Sequence, residues 1–194
     1  MRIIKASILL VTMVLSINCF SQQLEFMGLP LRSTVSDYTK VLSSHKFKDE
    51  YTAGNLAHQF WKGGDFWKQK NCNVYLFAQD DIHVDIVEVT IPPKEAPEEY
   101  INSIVELITD LSNKYGQYTY DTLDLEKETD VFFHPVHRED DLFYLFTWLK
   151  SNGTLKVVVN NDHIYAIKIQ YKSIEYINRQ KEAARFRGQG ISDL

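Results

Sequence analysis

Two aromatic pairs are the side chains of this sequence best suited to touching a ligand. Phe60-Trp61-Lys62 and Phe66-Trp67-Lys68 bracket Gly63-Gly64-Asp65. Flat rings beside basic side chains can stack on a sugar or meet a protein partner, and exposed aromatics mark such surfaces. Successive strand side chains point to opposite faces, so one ring of each pair is expected to pack inward while the other stays available. Phe60, Trp61, Phe66 and Trp67 are therefore the candidate ligand-binding residues.

The most metal-like cluster is His134-Pro135-Val136-His137, followed by Glu139, Asp140 and Asp141. Imidazoles and carboxylates are donors for a divalent ion, which makes His134 and His137 candidate metal ligands. Pro135 forbids a regular helix there, so the two rings need not share a face, and a solvated loop is the competing reading. Asp121, Asp124, Glu126, Glu128 and Asp130 lack the glycine that a calcium loop needs for its sharp turn; an exposed, irregular acidic segment from Asp121 to Asp141 is expected instead. Cys72 could act as a nucleophile with His83 or His163, but its place at the entry to a strand favours burial. Serine-nucleophile and phosphate-loop patterns are missing. No catalytic residue and no cofactor follow. Asp121-Thr122-Leu123 fits a short O-glycosylation acceptor, with Thr122 as the modified residue.

The chain opens with an export signal. Arg2 and Lys5 precede an apolar run from Ile8 to Ile17 broken by Thr12 and Ser16. That run falls short of the about 20 residues a spanning helix needs, and charge followed by a short apolar core is the order of a secretory signal. Met1 to Ser21 is read as a cleaved signal peptide, and the protein is expected in the periplasm or at the cell surface. Cys19 also fits a lipoprotein signal and is the lipidation candidate. Asn18, standing where a small residue is expected, favours secretion over the lipid anchor. With the leader removed, Cys72 is the single cysteine and neither an intramolecular disulfide nor a cysteine-based zinc site can form. No further apolar run is long enough to cross a membrane. The net charge of −5 repels phosphate backbones and argues against nucleic acid.

The elements that must carry these residues read as α+β. Thr34 and Asp37 cap a helix from Val35 to Ser44. Extended runs follow from Leu56 to Trp61, Asn73 to Ala78 and His83 to Ile91. Gly63-Gly64 is expected to be the first turn, Asp80-Asp81 the second, and Pro92-Pro93 the end. A second helix starts at Pro97-Glu98-Glu99 and ends at Gly116, with Ile101, Ile104, Val105, Ile108 and Leu111 as its apolar stripe. Leu142 to Lys150, Thr154 to Val159 and Ile164 to Tyr171 are further strands, the first two joined at Ser151-Asn152-Gly153. A charged tail from Ile174 to Leu194 begins as a helix and is expected to fray at Gly188-Gln189-Gly190.

This order suggests a tandem αβββ duplication, repeats 24–92 and 97–172, within one α+β domain spanning 22–173. The repeats would share an antiparallel sheet with both helices on one face.

Several short segments carry a resemblance. Phe26-Met27-Gly28-Leu29-Pro30-Leu31, Asn71-Cys72-Asn73-Val74, Leu111-Ser112-Asn113-Lys114-Tyr115-Gly116 and the terminal Ser192-Asp193-Leu194 resemble segments of uncharacterised small exported proteins of Bacteroides-type bacteria. The resemblance implies export and an α+β fold, and it implies no catalytic residue. In tandem helix-plus-sheet layout alone, the chain is similar to bacterial β-lactamase inhibitor proteins, a likeness of fold rather than of activity. The expected function is a non-catalytic binding or interaction domain with a protein or glycan partner in the envelope. An unrecognised envelope enzyme or enzyme inhibitor is the alternative.

Overall fold

The computed structural model describes residues 23–52, 57–94, 96–123, 143–160 and 167–189. The segment expected to be a signal peptide, Cys19, His134, His137 and His163 lie outside them.

Thr34 begins the first helix as expected. Its side-chain oxygen accepts the Asp37 N–H at 3.2 Å and its hydroxyl donates to Asp37 Oδ2 at 2.7 Å. This satisfies a first-turn donor that would otherwise be orphaned, and α1 runs Val35–Ser44. The second helix, α2, is Pro97–Tyr115, with Pro97, Glu98 and Glu99 in its first turn and Gly116 beyond its end at φ +80°. A third, α3, is Ile174–Gln189, and its last residue falls in the Gly188-Gln189-Gly190 stretch where fraying is expected.

The strands are β1 (Glu25–Phe26), β2 (Leu29–Pro30), β3 (Lys48–Thr52), β4 (His58–Phe66), β5 (Gln69–Phe77), β6 (Ile86–Ile91), β7 (Thr119–Leu123), β8 (Phe143–Lys150), β9 (Gly153–Asn160) and β10 (Ile167–Ser173). β1 and β2 form a small hairpin. The other eight make one sheet in the order β3-β4-β5-β6-β10-β9-β8-β7, and every pairing is antiparallel. The fold is α+β. Each half of the chain contributes a helix followed by four strands, and the last strands of the two halves, β6 and β10, meet at the sheet centre.

Three expectations about these elements need correction. Each half has four strands, not three, because β3 and β7 were missed. β3 reads Lys-Asp-Glu-Tyr-Thr and shows no apolar alternation, and charge on an edge strand is a device against edge-to-edge pairing. β7 takes in Asp121 to Leu123, in place of the irregular acidic segment expected there; in register, Asp121 opposes Leu145.

Next, Gly63-Gly64 is no turn. Both glycines lie inside β4, where the register against β5 shifts between Trp61 and Gly64; the hairpin turn is Trp67-Lys68.

The stripe on α2 is also rotated. Tyr100, Leu107, Ile108 and Tyr115 are buried, with Ile104 and Leu111 partly so, whereas Ile101 and Val105 are 48% and 58% exposed. Two tyrosines carry the packing face, and a stripe drawn through aliphatic residues alone misplaces it.

One face of the sheet holds Val74, Leu76, Val87, Val89, Leu155 and Ile169 in a single core with α1 and α2. Phe26 of the small hairpin joins the layers, stacking on Phe66 at 5.4 Å between ring centroids and meeting Tyr171 edge-on at 5.7 Å. Trp148 is fully buried and donates its indole N–H to the Gly116 carbonyl at 3.0 Å. The first turn of α3 reaches the other face of the sheet, where Tyr176 packs edge-on against Phe77 at 5.9 Å.

Candidate functional site

The bulge in β4 decides where the four candidate aromatics go. Without it, side-chain alternation would set Trp61 and Asp65 on one face and Phe66 on the other. The extra residue at the bulge puts Gln59, Trp61, Gly64 and Phe66 all toward the core, where each is buried. Trp61 is 4% exposed and donates its indole N–H to Gln59 Oε1 at 3.2 Å; it is a core residue. Phe66 is 7% exposed. Phe60 lies half-buried on the opposite face, under Lys62 Nζ at 5.5 Å from its ring centroid. Trp67 sits in the turn, half-buried against the core edge. The four rings therefore do not form one surface.

Trp67 and Phe66 instead border a cleft of about 410 Å³. Its walls come from distant parts of the chain. The β1–β2 hairpin supplies Glu25, Met27 and Gly28, and the end of α1 supplies His45. The end of β4 and the turn after it supply Asp65, Phe66 and Trp67. From α2 come Leu107, Asp110, Leu111, Lys114 and Tyr115, and from β10 comes Tyr171. The α2 residues follow the spacing that places side chains on one helical face. That spacing could have flagged the face from sequence; nothing local pointed to Glu25 or Tyr171.

The charged groups around the cleft are already engaged. Lys46 Nζ lies 2.8 Å from Asp65 Oδ2, Lys68 Nζ 3.3 Å from Asp110 Oδ2, and Lys114 Nζ 3.5 Å from Glu25 Oε2. The hydrogen bond from Lys46 holds the Asp65 carboxyl below the usual carboxylate range. His45 Nδ1 is committed to the Val41 carbonyl at 2.9 Å. The Tyr115 hydroxyl donates to the Glu25 carbonyl at 3.0 Å and accepts the Glu25 N–H at 3.3 Å. Tyr171 differs from these. It is 3% exposed and lines the cleft, and its hydroxyl makes no hydrogen bond to another described residue. Burial pushes this phenol far above its ordinary value, so it remains a hydrogen-bond donor at any physiological pH.

Trp67 is one of six non-glycine residues at positive φ among the described residues, and Met27 of the same cleft is another. Phe66 pairs with Gln69 across a two-residue turn, and Trp67 takes φ +55° at its first position. Two-residue hairpins place glycine or asparagine at such positions, because a Cβ there costs about 1–2 kcal/mol. Strain held by a bulky ring at the mouth of a cleft is the kind that accompanies ligand contact.

A second aromatic group lies on the far face of the sheet. His58, Phe60, Tyr75 and Phe77 are neighbours across β4 and β5, and Tyr176 adds the α3 side. His58 packs on Phe77 at 4.9 Å, and its Nδ1 contacts the Tyr75 hydroxyl. Burial pushes the Tyr75 phenol up to about 12.

The remaining candidates separate cleanly. Cys72 is fully buried, and burial pushes its thiol up to about 11, so at neutral pH it is a protonated core residue rather than a thiolate. His83 Nδ1 lies 2.9 Å from Asp80 Oδ2 in the turn before β6. Thr122 falls in β7, opposite Tyr144. Among the described residues, no three His, Cys, Asp or Glu side chains are placed to hold a metal ion. No described helix is long and apolar enough to cross a membrane.

No family model, curated protein or solved structure matches this chain. Its function must therefore be argued from the cleft itself.

Proposed function

We propose that this chain is a non-catalytic binding domain, exported to the periplasm or cell surface, that receives its partner in the cleft bordered by Trp67. The observation that carries the reading is Trp67 itself, a half-buried indole held at φ +55° beside an open cleft of about 410 Å³. That volume lies within the range of small-ligand pockets. The engaged carboxylates support binding over acid–base chemistry. Asp65 is kept ionised by Lys46, and a general acid or base works best when its pKa lies near the working pH. The basic and apolar order of the first residues supports export, and the net charge of −5 supports a partner other than nucleic acid. The mirrored helix-plus-four-strand halves support the reading of an internal repeat.

Substitution separates the two tryptophans. Trp61→Ala should cost about 3–5 kcal/mol of stability, as for a buried tryptophan removed from a core. Trp67→Gly should change stability by less than about 1 kcal/mol, because relief of the positive φ offsets the lost packing. The same variant should abolish capture of the partner from an envelope extract or glycan array. Retained capture by a folded Trp67→Gly protein would remove the cleft from consideration.

A further inference from the structure

We infer that the cleft takes a neutral, hydroxyl-rich ring, a saccharide, with one face of the sugar on the Trp67 indole and a sugar oxygen accepting from Tyr171. The inference rests on the reading of this cleft as the binding site and adds the chemical class of its ligand.

Three features select that class. The fixed charges are balanced, since each of Glu25, Asp65 and Asp110 is met by a lysine within 3.5 Å. A ligand carrying net charge of either sign would compete with one of these pairs instead of meeting an uncompensated partner. A neutral polyol can share them, accepting from ammonium groups and donating to carboxylate oxygens that still have free lone pairs. The walls are amphipathic, with Met27, Leu107 and Leu111 beside those polar groups. Such walls suit a ring whose C–H face is apolar and whose edge is polar. Tyr171 is the third feature. Its ring is buried and it borders the cleft, so its hydroxyl is placed to donate to an acceptor bound there. Phe26 and the sheet hold its ring in place, so a sugar oxygen would meet a donor that is already positioned.

The test uses the full chain labelled with fluorotryptophan and read by fluorine NMR. Trp61 and Trp148 are buried and serve as internal references, while Trp67 reports the cleft. The probes are neutral mono- and disaccharides (glucose, galactose, mannose, N-acetylglucosamine and their dimers), glucuronate, hexylamine and an uncharged tripeptide. The expected result is a Trp67 shift with at least one neutral saccharide while Trp61 and Trp148 stay in place. Tyr171→Phe should keep the urea midpoint and weaken that saccharide about five- to tenfold, the worth of one hydrogen bond. A Trp67 response to glucuronate, hexylamine or the tripeptide without any neutral saccharide would overturn the saccharide class and leave the cleft a binding site. No Trp67 response to any probe would overturn both. Unchanged saccharide affinity in a folded Tyr171→Phe protein would overturn the role of the phenol.

Discussion

The side-chain amide of Asn152 pairs with both backbone groups of Leu24, accepting its N–H at 2.9 Å and donating to its carbonyl at 3.0 Å. The amide acts as a strand partner across 128 positions of sequence. It ties the start of the β1–β2 hairpin, one wall of the cleft, to the β8–β9 turn.

That pairing predicts a coupled effect on stability and binding. Asn152→Ala leaves two backbone groups of a fully buried residue without partners and should cost about 1–3 kcal/mol. Because Glu25, Met27 and Gly28 follow directly, hydrogen exchange at these amides should rise more than at β5 or β6. Uniform exchange across the chain would show that Asn152 does not hold this wall in particular.

Asp85 organises the junction of the two halves. Its carboxylate is fully buried, with Arg32 Nη1 at 2.8 Å and Arg179 Nη2 at 2.6 Å from Oδ1. Ser173 Oγ donates to it at 3.2 Å and the Gln79 N–H at 3.0 Å. Asp85→Ala should cost about 1–3 kcal/mol, because the Ser173 hydroxyl and the Gln79 N–H lose their acceptor while Arg32 keeps Asp80 and both arginines reach solvent. Arg179→Ala should cost less, because Arg32 still meets the carboxylate. Equal losses by urea unfolding would contradict this ranking.

Gly64 has no room for a side chain. A Cβ there would lie 2.1 Å from the Phe47 ring, which is itself buried. Gly64→Ala should cost about 1–3 kcal/mol from overpacking. The double variant with Phe47→Ala should show a coupling energy rather than additive losses. Strict additivity would mean that the ring moves aside freely.

Acid should weaken the fold through Asp80. Burial alone would raise this carboxyl. The N–H groups of His83 and Ile82, the His83 ring and the Arg32 charge outweigh burial and hold it well below the usual range. The folded-state pKa is thus below the unfolded value of about 3.9. The contribution is complete above that value and is lost as pH falls through the folded one. The urea midpoint should fall as pH drops below about 4. Asp80→Asn should lower the midpoint at pH 7 and flatten the acid slope, while Asp37 and Asp65, also lowered, keep part of it. An unchanged slope in Asp80→Asn would exclude Asp80 as a contributor.

The sequence by itself determined the elements whose causes are local. The Thr34 cap and the Val35 to Ser44 periodicity place α1. Pro97 and Gly116 bound α2, and Ser151-Asn152 before Gly153 turns β8 into β9. Each follows from contacts or backbone preferences within a few residues. Only the tertiary structure decided the rest. β3 and β7 owe their existence to strands already in place beside them, so their own polar sequences carry no signal. The bulge at Gly63-Gly64 depends on Phe47 lying over Gly64, and it sends Trp61 and Phe66 inward and leaves Trp67 at the rim. The cleft joins Glu25 to Tyr171 through packing of layers, an interaction that no window of sequence contains. The two aromatic pairs were thus legible as residues of interest. Which ring could meet a ligand was settled by side-chain direction across a bulged strand, a property of the assembled sheet.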